Sequence, residues 1–163
     1  STGEVGCIGD DFNEALLTSM IAVGYPIPQK SVMVSSGSAK SKVDLLEACR
    51  TLSSKGYEIY ATAGTQKFLA ENNIDNIKVV SWPDESGKEN VMDMIANHRF
   101  DLVINIPKNH TKRELTNGYK IRRASIDHNI PLITNARLAS AFIEAFCNLR
   151  MENIQIKSWQ EYK

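Results

Sequence analysis

Residues 57–70 read YEIYATAGTQKFLA, a stretch in which a strand pattern passes directly into a helix pattern. Apolar side chains alternate up to Ala61, as in a short strand, and those after Thr65 are spaced as in a helix. Thr62, Gly64 and Thr65 stand at the junction. Backbone N–H groups at a helix start and threonine hydroxyls are both good donors to a phosphate or carboxylate. The stretch therefore predicts a strand–helix junction that binds an anion.

The same succession of short apolar runs and helical patterns continues along the chain. The candidate strands are residues 31–35, 57–61, 77–80, 101–106 and 131–134. The helical patterns between and after them are residues 42–54, 65–72, 90–97, 119–128 and 136–148. This alternation predicts a doubly wound α/β fold, with a mainly five-stranded parallel sheet and helices on both faces. In such sheets ligands bind beyond the carboxyl ends of the strands.

Length, charge and cysteine content narrow the class of protein. The 163 residues are enough for one domain with a sizeable core. The 19 basic and 19 acidic side chains cancel, so neither nucleic acid nor an anionic membrane is expected as a partner. Three cysteines without a CxxC pair indicate neither a disulfide framework nor a zinc site. With no membrane-span or signal-peptide pattern, a cytoplasmic or other reducing location is predicted.

The first 30 residues differ in pattern from the residues after them. A helical pattern over residues 11–23 ends at the proline-containing stretch 24–28, and prolines there indicate a linker or boundary. The chain opens on Ser1 and reads as the middle of a longer protein. We therefore expect residues 1–30 to end a preceding unit and residues 31–163 to form the sheet domain.

Polar side chains that follow the predicted strands are the candidate ligand contacts. Lys40 and Lys42 come after a serine- and glycine-rich turn and would bring positive charge to the anion, or lie on the surface at a helix start. The threonines would hold the anion, or cap the helix. Trp82 follows the third strand and would stack on a ligand, or pack in the core or an interface.

The later part of the sequence adds an amide and several cations. Asn105 ends the fourth strand, where its amide would donate to and accept from a ligand, or form a turn. Residues 107–113 are polar and basic, which suits a binding loop or lid, or a solvated loop. Arg122 and Arg123 fall in the first turns of the predicted helix, where cations oppose the macrodipole and call for an acidic partner.

Residues that carry catalysis are few. His98, His110 and His128 lack metal-ligand spacing, and no phosphate-binding loop or nucleophile motif occurs. The sequence favours a binding site over a reaction site.

Three motifs, in order, resemble the methylglyoxal-synthase-like regulatory domain at the carboxyl end of the carbamoyl phosphate synthetase large chain. They are residues 61–65 (ATAGT), 101–105 (DLVIN) and 119–123 (YKIRR). Residues 1–28 are similar to the final segment of the second ATP-grasp synthetase unit of that enzyme. The resemblance covers essentially the whole sequence and implies the fold predicted above.

The resemblance implies an allosteric site rather than synthetase chemistry. Family effectors include pyrimidine and purine nucleotides, phosphoribosyl pyrophosphate and N-acetylglutamate. The residues that would bind the anionic part are Lys42, Thr62, Thr65 and Asn105, and Gly64 is a further effector-binding residue. Trp82 and Asn117 resemble the pattern of N-acetylglutamate-responsive members, whereas Lys108 replaces the asparagine expected in that pattern.

The parent enzyme so implied makes carbamoyl phosphate from bicarbonate, ATP and glutamine-derived ammonia, for pyrimidine and arginine synthesis. ATP and Mg or Mn would belong to its upstream synthetase units, which work with a glutaminase subunit or domain. No cofactor is expected in the present chain.

Two alternatives remain at this stage. Methylglyoxal synthase shares the fold and binds phosphate at similar positions, but its catalysis needs an aspartate in a Gly-Asp motif after the third strand. Here that loop has Gly87 and Lys88, and the later Asp-Pro step is replaced by residues 106–108 (IPK), so lyase activity is disfavoured. A docking or oligomerisation module with an empty pocket is the other alternative, favoured if residues 136–148 expose apolar side chains.

Overall fold

The computed structural model describes residues 2–86, 90–107, 111–149, 152, 154 and 157–162. Its strands are β1 (Ser31–Ser36), β2 (Glu58–Thr62), β3 (Ile77–Val80), β4 (Leu102–Ile106) and β5 (Leu132–Ile133). The α-helices of this described part are α1 (Phe12–Ala22), α2 (Ala39–Ser54), α3 (Ala63–Glu71), α4 (Val91–Ala96), α5 (Lys112–Asp127) and α6 (Ala136–Asn148). The strands pair in parallel in the order β3-β2-β1-β4-β5. The predicted five-stranded parallel α/β fold is confirmed.

Helices cover both faces of the sheet. Successive residues of a strand point to opposite faces, so neighbouring residues of β1 lie in different cores. Val32 and Val34 of β1 lie in a first core with side chains of α1, α2, α3 and α6. Met33, between them, lies in a second core with side chains of α4 and α5. All three are fully buried. The fold is therefore doubly wound.

Helix α5 begins earlier than the sequence pattern predicted. Thr111 caps it by accepting a hydrogen bond from the backbone N–H of Glu114 at 3.2 Å, so the first turn starts at Lys112 rather than near residue 119. Arg122 and Arg123 consequently lie in the second half of the helix, and the macrodipole argument for an acidic partner was wrong. Arg123 does pair with Asp127, at 2.9 Å, one turn further on.

The amino-terminal helix packs on the sheet domain. Leu17 is fully buried in the first core. The Tyr25 ring meets the edge of Phe142 in α6 at 6.3 Å between centroids, and its hydroxyl donates to the carbonyl of Leu132 at 2.8 Å. A boundary near residue 30 concerns a longer parent protein and stays a prediction.

The carboxyl-terminal residues that the structure describes differ in how far they are buried. Ile154 packs against the first core, and Lys157 forms an ion pair with Asp10. Trp159, by contrast, is 78% exposed, so it does not pack back on the domain. Within the described ranges no helix is long and apolar enough to cross a membrane.

Most of the apolar face of α6 is buried. Phe142, Ile143 and Phe146 all lie in the first core. Leu138 on the same helix is 39% exposed, so α6 presents one large apolar side chain to solvent, and the docking alternative stays a prediction.

The cysteines are free thiols. Burial raises the pKa of the Cys49 thiol to about 12 and that of the Cys147 thiol to about 11. Both remain protonated at neutral pH, which makes them poor nucleophiles.

Candidate anion-binding site

A cleft opens where the winding of the sheet reverses. From β1 the chain proceeds outward through β2 to β3, and then crosses to β4 on the other side of β1. Connections leave the carboxyl ends of β1 and β4 toward opposite faces, which is where doubly wound folds bind ligands. A cavity of about 180 Å³ lies there, and residues that follow β1, β2 and β4 line it.

Hydroxyl groups from two strand ends form the floor of this cleft. Thr65 Oγ1 accepts a hydrogen bond from the backbone N–H of Ser36 at 3.0 Å. Thr62 Oγ1 lies 3.4 Å from Thr65 Oγ1 and 3.4 Å from Ser35 Oγ. Thr62 is the N-cap residue of α3, yet its side chain makes no capping hydrogen bond. Capping therefore does not account for the two threonines, which instead meet beneath the cleft.

Among the buried side-chain nitrogen and oxygen atoms of the described residues, the hydroxyl oxygen of Ser36 alone has no hydrogen-bond partner. Ser36 is 6% exposed and lines the cleft. An unpaired buried hydroxyl is unfavourable in the free protein. A ligand in the cleft would supply the missing partner.

Lys42 brings positive charge to the same place. Its ammonium donates to the carbonyl of Gly64 at 2.8 Å and lies 5.8 Å from the centre of the Phe68 ring. Lys42 and Gly64 both line the cleft. Lys40 is exposed on α2 and does not belong to the lining.

A second cation, Arg122, was not predicted as a cleft residue. Asn105 is buried at the end of β4, and its side-chain oxygen accepts from Arg122 Nη1 at 2.7 Å. Arg122 reaches it across Gly118, where a Cβ atom would lie 2.9 Å from Nη1. The absence of a side chain at Gly118 thus makes room for the guanidinium.

Trp82 forms part of the outer wall and is half-buried. The turn that carries it contacts α5 through Arg113, whose Nε and Nη2 donate to Asp84 at 2.6 and 3.2 Å. Hydrogen bonding from Arg113 holds the pKa of the Asp84 carboxyl below its usual value, while Asp84 and Glu85 raise the pKa of Arg113. The contact is therefore fully charged at neutral pH. Since the pKa of Asp84 is lowered on folding, the contact weakens only in acid, as pH falls below the ordinary aspartate range.

Of the remaining candidates, Asn117 lies outside the cleft lining, and Lys108 lies outside the described residues. Asn117 is buried, and its amide donates to Asp84 Oδ1 at 2.7 Å in a shallow depression beside the cleft. Gly87, Lys88 and His110 lie outside the described residues as well. His98 and His128 contact each other edge to face, 6.0 Å between ring centroids. Among the described residues no group of three His, Cys, Asp or Glu side chains lies together.

Known proteins share this sequence pattern. Residues 44–134, more than half of the chain, match the sequence model of the MGS-like domain family. The chain is 40% identical over 159 residues to the multifunctional protein CAD of Squalus acanthias, covering 89% of this chain and 7% of the relative. It is 37% identical over 150 residues to the C-terminal section of the carbamoyl phosphate synthase large chain of Aquifex aeolicus, covering 92% and 27%. It is 36% identical over 150 residues to the human mitochondrial carbamoyl-phosphate synthase [ammonia], covering 89% and 10%.

The chain thus spans between 7% and 27% of the length of these relatives. The five-stranded parallel sheet, the cleft at its reversal point and the match over residues 44–134 agree with one another. This chain belongs to the MGS-like domain family.

Proposed function

We propose that the cleft binds the anionic group of a small effector and that the chain is the regulatory domain of a carbamoyl phosphate synthetase. The orphaned hydroxyl of Ser36 is the observation that carries this proposal. It lies among hydroxyls and cations that all suit a phosphate or carboxylate.

Two cations and one carboxylate line the cleft, and the balance favours an anion. The carboxylate, Glu114, accepts a hydrogen bond from the Thr111 hydroxyl at 3.0 Å. Lys42 approaches from α2 and Arg122 from α5, so positive charge flanks the hydroxyl floor from two sides. Helix α3 begins at Ala63, directly after its N-cap residue Thr62, and the leading backbone N–H groups of a helix have no partners within it. A helix start of this kind stabilises negative charge.

The rest of the cleft suits the body of an organic ligand. Its walls include the indole of Trp82 and the apolar side chains of Ile106, Leu115 and Ile121. An effector with an anionic end and a flat or apolar body would bury that body there. The proposed effectors are the nucleotides, phosphoribosyl pyrophosphate and N-acetylglutamate, which all carry such an anion.

The relatives point to the parent protein. Two of the three named above are carbamoyl phosphate synthases by name. We therefore assign ATP, Mg or Mn, and the contact with a glutaminase to upstream units of a cytoplasmic parent enzyme.

The effector would act by changing how the domain docks on the synthetase unit, for which a coupling free energy of about 1–3 kcal/mol suffices. Residues 1–28 give a direct route, since α1 packs on α6 in the first core.

Ser36→Ala tests the proposal, because a binding role and a structural role predict opposite results. We expect weaker binding of the effector and of inorganic phosphate, by about three- to tenfold, since one hydrogen bond to the anion is lost. We expect the free energy of unfolding to stay the same or to rise, by up to about 1 kcal/mol, because an unpaired buried hydroxyl is removed. Ser54→Ala, at an exposed position of α2, is the matched control and should change neither quantity.

The measurement is calorimetric titration of the protein with phosphate, UMP, IMP, phosphoribosyl pyrophosphate and N-acetylglutamate. Thr62→Val, which removes the hydroxyl and keeps the shape, should weaken binding as well. If no compound binds, or if Ser36→Ala and Thr62→Val bind as the unchanged protein does, the site assignment is wrong. Formation of methylglyoxal from dihydroxyacetone phosphate would instead establish the lyase alternative.

Gly118→Ala is expected to weaken phosphate binding by about three- to fivefold. The new Cβ would lie 2.9 Å from Arg122 Nη1, so the flexible guanidinium must leave Asn105. Circular dichroism and thermal unfolding should remain close to those of the unchanged protein. Unaltered phosphate affinity would show that Arg122 takes no part in anion binding.

A further inference from the structure

One wall of the cleft belongs to a turn that makes charged contacts with α5. Trp82 follows β3 in a short turn, with its backbone N–H donating to Glu85 Oε2 at 3.0 Å. The amide of Asn90 closes the same turn by donating to the carbonyls of Trp82 and Glu85 at 2.9 and 2.8 Å. These bonds hold the turn together, and its base is anchored where Ser81 pairs with Asn90. Its outer part, with Trp82, Asp84 and Glu85, meets the rest of the domain at α5.

Arg113, in the first turn of α5, holds that outer part of the turn. Its guanidinium donates to both oxygens of Asp84 and, through Nη2, to Glu85 Oε1 at 3.0 Å. The guanidinium carbon also lies 5.7 Å from the centre of the Trp82 ring. We call Arg113, Asp84 and Glu85 together the Arg113 clasp. Glu85 links Arg113 on one carboxylate oxygen to the Trp82 backbone on the other.

An arginine suits this task better than a lysine would. Its planar fork binds carboxylates through two parallel hydrogen bonds and its face can lie against an aromatic ring. One side chain therefore orients both the acidic residues and the indole. Asn117, one turn along α5, also donates to Asp84 Oδ1, at 2.7 Å, so two side chains of this helix hold that carboxylate.

The clasp is also weak enough to open without unfolding the domain. The side chains of Arg113, Asp84 and Glu85 are 59%, 36% and 46% exposed. Exposed ion pairs contribute little to the free energy of unfolding and are screened by salt. Loss of the clasp should therefore free Trp82 while the sheet and helices stay folded.

We propose that Arg113 is a positioning residue that holds Trp82 in the wall of the cleft, and thereby controls recognition of the effector beyond its anionic group. This inference rests on the proposed function of the cleft. Phosphate alone is held by the floor, whereas UMP adds a ribose and a base that must contact the wall. Opening the clasp should weaken UMP binding and leave phosphate binding unchanged.

The first test needs no ligand. In a Trp159→Phe background the indole of Trp82 is the sole tryptophan, and acrylamide quenching reports its exposure. Arg113→Ala should raise the quenching constant about twofold and remove its salt dependence, because the charged contact is gone. Arg113→Lys should restore the low quenching constant only in part. Arg123→Ala removes the same charge from an exposed, paired arginine on the same helix and should leave quenching unchanged.

The second test separates the wall from the floor by titrating each variant with phosphate and with UMP. Arg113→Ala should lower UMP affinity about fivefold relative to Arg123→Ala and change phosphate affinity less than twofold. Equal quenching in the two variants, or equal loss of phosphate and UMP affinity, overturns the role of Arg113. If the unchanged protein binds none of phosphate, UMP, IMP, phosphoribosyl pyrophosphate and N-acetylglutamate, the proposed function fails, and the quenching result still decides whether Arg113 holds Trp82.

Discussion

Replacing Lys42 by alanine is expected to weaken binding of phosphate and of UMP by about tenfold or more, since a charge-assisted hydrogen bond to the anion is lost. The ammonium is already placed at the cleft by its contact with the Gly64 carbonyl at 2.8 Å. Little side-chain ordering is then needed when the anion arrives. Both ligands should lose affinity by the same factor, because in the proposed site Lys42 binds the phosphate that they share.

Lys40→Ala is the matched control for this experiment. Lys40 lies two residues earlier on α2 and is exposed, so its loss removes an equal charge without removing a cleft contact. Calorimetry at two salt concentrations separates the effects, because the long-range field of a surface lysine is screened. If Lys40→Ala weakens binding as much as Lys42→Ala, general charge rather than a specific contact holds the anion.

The fold could be predicted because its signals are local. Each strand is a short apolar run, and the predicted range 77–80 coincides with β3 (Ile77–Val80). Since the carboxyl ends of parallel strands meet at one edge, the ends of β1, β2 and β4 were expected together. The cleft indeed brings Lys42, Thr62, Thr65, Trp82 and Asn105 to one place.

Helix α5 begins at Lys112, seven residues before the predicted start at residue 119, and the sequence shows why. Residues 112–118 contain one strongly apolar side chain, Leu115, so the periodicity that marks a helix face is absent. The available signal was the spacing of Thr111 and Glu114, a capping box. In the structure one half of that motif is formed: Thr111 Oγ1 accepts from the backbone N–H of Glu114 at 3.2 Å, and the same hydroxyl donates to Glu114 Oε2 at 3.0 Å.

Because the start of α5 was predicted wrongly, Arg122 was not predicted as a cleft residue, and Asn117 was predicted as one although it lies outside the lining. Adjacent residues on a helix point about 100° apart, so Gly118 lines the cleft while Asn117 faces the neighbouring depression.

The contact of Arg113 with Asp84 spans 29 residues of sequence and joins two polar segments. No local pattern records such a pairing. Nor does sequence show that the Ser36 hydroxyl is left without a partner, because this depends on everything packed around it.

Replacing Leu17 by alanine is expected to lower the free energy of unfolding by about 2–5 kcal/mol, the range for deleting a fully buried leucine side chain. Leu17 is fully buried in the first core, although its helix lies in the segment predicted to end a preceding unit. The size of the effect therefore reports whether α1 is part of the cooperative fold of the sheet domain. That matters for function, because α1 is the proposed route between the cleft and the synthetase unit.

Urea unfolding followed by circular dichroism and by tryptophan fluorescence measures this change. Phe12→Ala on the same helix removes a side chain that is 69% exposed and should shift the free energy of unfolding by less than about 0.5 kcal/mol. Coincident transitions from both probes, with a large loss for Leu17→Ala alone, would join α1 to the domain that holds the cleft. Two separate transitions, or equal small effects of both substitutions, would make α1 an independent segment. A signal from the effector would then have to leave the domain through another surface.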